Sequence, residues 1–225
     1  MLSQKKLRDV GVLLGALSLF VLPMAAGHAQ TAPSTGDIVE RLAVEAEAEI
    51  DLAALRQQAA DRIKTRADAQ PQKRPPIAPQ LLKLPQIRFD VVFDPDSSLI
   101  RPASYQTIGS LADALTDPKL RPYRYLIVDH VEAAGRRDHN LILTQRRADS
   151  VRDVLVNTFK VAPKRLQALG LGEEQLQDTN RPASPANARL QIIAVGKMET
   201  VDPAKPATPA PTAQKGAAAA KKKKH

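Results

Sequence analysis

Asp94, Asp96, Ser97 and Ser98 crowd into the run "DPDSS", where carboxylates and hydroxyls could serve a metal ion or a nucleophile. The run lacks the alternating ligand spacing of a calcium loop, and no His/Ser/Asp set accompanies it, so it reads as a polar turn. "ALGLGE" (168–173) holds two glycines but opens no helix, which makes it a poor phosphate loop. The four histidines are scattered, without the close pairing of a histidine metal site. There is no cysteine, which removes disulfides, thiolate metal ligands and an acylated cysteine anchor. No cofactor, no metal and no catalytic set is therefore expected.

The chain has 225 residues, enough for one core-bearing domain with extensions. Its net charge of +9 is concentrated at the ends. Residues 1–29 carry +2 (Lys5, Lys6 and Arg8 against Asp9), and residues 197–225 carry +5 (seven lysines against Glu199 and Asp202). The body keeps +2, so it lacks the basic footprint of a nucleic-acid-binding domain.

Lys5, Lys6 and Arg8 precede an apolar stretch from Val10 to about Ala26, and Gly27-His28-Ala29 then offers small residues before Gln30. This is the layout of a secretory signal peptide over residues 1–29. An uncleaved membrane anchor is the alternative, although the run is at the short limit for a span and Pro23 interrupts it. Either way the remainder is expected across the inner membrane.

Residues 30–80 are expected to hold a helix over about 37–67 and a proline-rich linker over 68–80. Asp37 is the expected helix cap, with Glu40 as its reciprocal partner. Ile38, Leu42, Ile50, Leu55 and Ile63 form a thin stripe that fits a solvated spacer as well as a partner surface. The folded unit spans 81–196. Strands are expected at 87–93, 123–131, 165–172 and 188–195, and helices at 102–115 and about 138–159. The order β-α-β-α-β-β predicts an α/β sandwich with its helices on one face of a mixed sheet. Residues 197–225, rich in Pro, Ala and Lys, read as a disordered tail.

The folded unit resembles the OmpA-like C-terminal domain family from about Ile87 to Val195. Four segments carry the likeness in order: "FDVVFDPDSSLIRPASYQTIGSLADAL", "LIVDHVEAAGRRDHNLILTQRRADSVRDVLV", "VAPKRLQALGLGE" and "NARLQI". The second is similar to the family's Gly-His-Thr-Asp turn followed by Asn-x-x-Leu-Ser-x-x-Arg-Ala.

The resemblance implies a non-enzymatic periplasmic protein of a Gram-negative envelope that binds the diaminopimelate of peptidoglycan stem peptides. The free end of diaminopimelate carries an ammonium and a carboxylate, so its site needs an acid near a base, and arginine's planar fork suits the carboxylate. The family's acid and arginine correspond to Glu132 and Arg147, fifteen positions apart. Asn140 and Thr144 match its Asn and Ser near a helix start whose backbone N–H groups favour an anion, and Arg189 matches the second of its closing arginines.

This sequence departs from the pattern at several positions. Asp129 stands for the family's Gly, Val131 for its Thr, Glu132 for its Asp, His139 for a Tyr and Ala188 for an Arg; His130 alone of the turn quartet is kept. Two readings of function remain. In one, the domain holds peptidoglycan, with the Lys-rich tail adding attraction to anionic envelope polymers or only solubility. In the other, the altered site is silent and the N-terminal helix contacts another envelope protein. A nucleic-acid partner for the tail is not expected in an exported chain.

Overall fold

The computed structural model describes residues 33–45, 47–65 and 70–198. The expected export segment and the tail from residue 199 lie outside the described residues.

Four strands form one mixed sheet in the order β1-β4-β2-β3. They are β1 (Gln86–Phe89), β2 (Tyr123–His130), β3 (Leu166–Gly170) and β4 (Arg189–Lys197). β2 runs parallel to β3 and antiparallel to β4, which is antiparallel to β1. The "YLIV" run of β2 has no polar alternation because the strand is covered on both faces. Helices α3 (Tyr105–Thr116) and α4 (Arg137–Asn157) supply the other two elements of the expected order. Ile108, Leu111 and Leu115 of α3 and Ala148, Val151 and Leu155 of α4 recur at helical spacing and meet Tyr125, Ile127, Ile192 and Phe89 on one face.

The N-terminal region departs from expectation. The single helix over 37–67 is two helices, α1 (Thr35–Leu42) and α2 (Leu52–Lys64). The cap of α1 is Ser34, three residues ahead of the expected Asp37, which is instead the reciprocal partner. Asp37 N donates to Ser34 Oγ at 3.2 Å and Ser34 N to Asp37 Oδ2 at 3.1 Å. Asp51 caps α2 through Ala54 N at 2.9 Å.

The break has a packing cause. Ile38 and Leu42 are fully buried against the α3 face, whereas Leu52, Leu55 and Ala59 cover Leu126, Val128, Leu169 and Ile193 on the opposite face. One straight helix cannot reach both faces, so the chain crosses between Leu42 and Asp51, with Ala48 N bonded to Val195 O at 2.9 Å. Full burial of each aliphatic side chain contributes about 1.5–3 kcal/mol, so neither α1 nor α2 is a solvated spacer.

The proline-rich stretch is likewise no free linker. Ile77 and Ala78 are buried in the second core, and short 3-10 turns at Pro71–Lys73 and Pro79–Lys83 shape the segment. The boundary expected at 196 also moves: Lys197 ends β4, and Met198 N donates to Pro122 O.

α4 packs on β3 at the closest possible range. A Cβ built on Gly170 would stand 2.1 Å from the backbone N of Gln145 and 2.5 Å from its Cα. Gly170→Ala must therefore push α4 off the sheet. We expect a loss of about 3 kcal/mol or more in chemical unfolding, at the upper end of overpacking costs.

Candidate functional site

Three elements converge where β2 ends. β2 delivers Asp129 and His130, β4 begins with Arg189, and α4 carries Arg147. With the chain from Phe89 to Phe93, these side chains line a cavity of about 210 Å³.

Arg147 is held from two sides. Its Nε donates to Ser97 O at 2.9 Å, and its guanidinium lies 4.9 Å from the centre of the Phe93 ring. "DPDSS" is thus the turn of a small hairpin, and one of its carbonyls orients the arginine. Asp94 N donates to Leu99 O, Phe93 bridges Ile100, and Asp94 pairs with Arg101 at 2.9 Å. Asp96 sits at positive φ and contacts His139. Phe93 packs at the core's edge and also forms the platform under Arg147.

Glu132 is half-buried on the loop after β2 and does not line this cavity. Among the described residues it forms no salt bridge with Arg147. Two carboxylates share the cavity with Arg147: Asp90, which is exposed, and Asp129, which is 3% exposed and has an Oδ2 without a hydrogen-bond partner. Burial pushes the Asp129 carboxyl up to about 8, against the opposing pull of Arg147, the His130 backbone and Arg189.

Arg189 is buried and donates to Asn187 O at 3.0 Å and Gln175 O at 2.9 Å. Burial draws its guanidinium down to about 10, so it stays charged at neutral pH. His130, next to Asp129 in the lining, is buried, and burial holds it well below the usual histidine range, hence neutral.

Asn140 and Thr144 are buried and engaged inside the fold. Asn140 Nδ2 donates to Ala134 O and to Glu173 Oε2, each at 2.9 Å. Thr144 Oγ1 donates to Asn140 O and accepts from Gly172 N at 2.9 Å. They pin the loop and the start of α4 rather than facing the cavity. Asp138, paired with Arg136, brings a negative charge to that helix start. Ala188, where the resemblance implies an arginine, lines the cavity, and Arg88 of β1 donates to its carbonyl at 2.9 Å. Arg146 is exposed.

The sequence signal for Asp129 was its parity. It shares a strand face with Tyr125 and Ile127, the face that α4 covers. An acid there must either lose its charge or find a cation. Asp129 also sets a pH dependence. Its folded-state value lies above the ordinary unfolded value near 3.9, so the folded state retains a proton that the unfolded state gives up. Its contribution to stability is full below about pH 4 and is lost as pH rises through about 8. We expect Tm to fall between pH 5 and 9, and Asp129→Asn to remove that part of the slope in a thermal melt series.

Residues 92–207, just over half of the chain, match the profile of the OmpA family. The chain belongs to the OmpA family. Its OmpA region is 37% identical over 98 residues to outer membrane porin F of Pseudomonas aeruginosa, a match covering 43% of this chain and 27% of that protein. It is 36% identical over 85 residues to the peptidoglycan-associated lipoprotein of Brucella melitensis, covering 38% of this chain and 49% of that protein. The chain thus spans about a quarter of the porin and about half of the lipoprotein. Among solved structures it is similar to the cell wall anchor of the T6SS from Pseudomonas aeruginosa, with 28% identity, half of this chain and 80% of that chain covered, and a TM-score of 0.40. Among the described residues of this OmpA-family chain, no helix is long and apolar enough to cross a membrane.

Proposed function

We propose that this protein is a non-enzymatic wall-binding member of the OmpA family, exported to the periplasm, that holds diaminopimelate-type peptidoglycan without covalent attachment. The observation that carries this reading is Arg147. It is fixed by Ser97 and Phe93 at the mouth of a cavity that also holds a carboxylate, so a carboxylate and an ammonium on one ligand both meet a complement. The likeness to a lipoprotein named for its association with peptidoglycan supports the same partner. Export would rest on residues 1–29, and the Lys-rich tail would add screened attraction to anionic envelope polymers.

The scaffold reading has less support. It needs a free apolar face on the N-terminal helices, and Ile38, Leu42, Leu52, Leu55 and Ala59 are buried against the chain's own sheet.

The chain from residue 30 should be sedimented with purified diaminopimelate-type sacculi and with lysine-type sacculi. The expected result is pelleting with the first, released by free diaminopimelate, and much weaker pelleting with the second. Equal pelleting with both removes the diaminopimelate reading, and pelleting with neither removes the wall.

A further inference from the structure

The loop acid implied by family resemblance, Glu132, lies outside the cavity, while a carboxylate with an unpaired oxygen lies inside it. We propose that Asp129, rather than Glu132, takes the ammonium of the bound amino-acid head group, opposite the carboxylate held by Arg147. The proposal rests on the wall-binding reading and assigns the acid within that site.

Three observations carry it. First, Asp129 Oδ2 is buried without a hydrogen-bond partner. Buried polar atoms are rarely left so, and Asp129 is among the residues that line the cavity, so its carboxyl is a candidate acceptor for an N–H donor brought there. Second, Arg147 is anchored by Nε and its ring contact alone; among the described residues no hydrogen bond or salt bridge uses its Nη1 or Nη2. An oriented guanidinium with an open fork is the complement of a carboxylate. Third, the cavity of about 210 Å³ has room for roughly seven waters at the ~30 Å³ that each occupies in the liquid. That suits the head group of one amino acid and excludes a disaccharide, so the stem peptide enters and the glycan stays outside.

The charges agree. Arg189 donates both Nη groups to backbone carbonyls and stands as a fixed cation at the cavity wall. With Asp129 protonated, Arg147 and Arg189 outweigh Asp90, the other carboxylate at the cavity, which favours a ligand that brings its own anion. The groups facing Asp129 are Arg147 from α4, Arg189 from β4, and its neighbour His130, which is buried and neutral; Asp90 lines the cavity after β1, and Arg88 reaches Ala188 O from β1. Before the ligand arrives, burial keeps Asp129 protonated near neutrality, so capture of an ammonium releases a proton.

Calorimetry of the chain from residue 30 with a stem tripeptide ending in diaminopimelate tests this, beside the same peptide with the free diaminopimelate ammonium acetylated. Wild type, Asp129→Asn and Glu132→Gln are compared at pH 6.5 and 8.5. Acetylation and Asp129→Asn should each weaken binding about tenfold or more and not add, because they remove two ends of one contact. Glu132→Gln should stay within about threefold, as expected of a rim charge outside the contact. Wild-type affinity should rise about tenfold or more from pH 6.5 to 8.5 as Asp129 ionises, while Asp129→Asn stays flat; the wild-type pH and acetylation arms need no variant to fold. Wild-type affinity in Asp129→Asn with loss in Glu132→Gln overturns the proposal and leaves the wall-binding reading intact. No binding by wild type to peptide or sacculi overturns both.

Discussion

Glu174→Ala should destabilise the protein by about 3–5 kcal/mol, the largest loss expected from any single side chain that does not fill the hydrophobic core. Glu174 is 2% exposed. It receives two hydrogen bonds from Arg137, each at 2.6 Å, and lies 3.5 Å from Arg74. Glu173 beside it pairs with Arg74 at 2.9 Å and accepts from Asn140 at 2.9 Å. Two buried carboxylates and two guanidiniums thus form one network. Arg74 comes from the proline-rich segment, Glu173 and Glu174 from the turn after β3, and Arg137 from the first turn of α4. Removal of Glu174 takes two hydrogen bonds from Arg137 and one of two acids from beside the buried Arg74, and the lost charge pairing in a buried network dominates the cost. Chemical unfolding of Glu174→Ala beside wild type measures the loss. Arg74→Ala should follow the same pattern and, in addition, make the 70–84 segment sensitive to limited proteolysis, since Arg74 and the Ala78 N–H to Gln175 Oε1 bond at 2.9 Å tie that segment to the domain.

Arg147→Ala should weaken binding of the diaminopimelate stem peptide about thirtyfold or more. Truncating one partner of a buried, hydrogen-bonded charge pair costs about 2–5 kcal/mol, and each 1.4 kcal/mol is tenfold. Arg147→Lys should recover little of this. An ammonium keeps the charge but loses the planar fork, the stacking on Phe93 and the directed bond to Ser97 O. The two variants should retain most of the stability, because Arg147 is only half-buried. Titration calorimetry with the stem peptide, with a thermal melt as the folding control, separates loss of binding from loss of fold.

The β-α-β-α-β-β domain was legible in the sequence because its signals are local. Period-two alternation around "IRF", whose strand ends at Phe89 and not at the expected Phe93, the unbroken "YLIV" of a doubly covered strand and the helical spacing of Ala148, Val151 and Leu155 each need only a short window. The N-terminal arm was not legible, for a physical reason. Its helix formers favour one continuous helix, but Ile38 and Leu55 belong to opposite faces of a sheet formed far along the chain. The proline-rich composition around Arg74 suggested a free linker, whereas the partner of Arg74, Glu173, lies 99 positions away. Tertiary pairing of this range leaves no mark on local composition.

Of the residues that the resemblance implied for a site, Arg147 lines the cavity. Asn140 and Thr144 bond within the loop and the start of α4, and Asp129, noted in the sequence as a departure from the family's glycine, is the buried carboxylate of the lining. Which side chains reach the cavity depends on strand parity and on what packs behind them, neither of which is read from spacing alone.

The most direct test of wall binding is sedimentation of the chain from residue 30 with diaminopimelate-type sacculi at moderate salt, wild type beside Arg147→Ala. Salt at this level screens the Lys-rich tail, while a pair within a cavity is screened much less. Wild type in the pellet and Arg147→Ala in the supernatant is the predicted result. Equal pelleting of the two, or pelleting of neither, would contradict a wall-binding site built around Arg147.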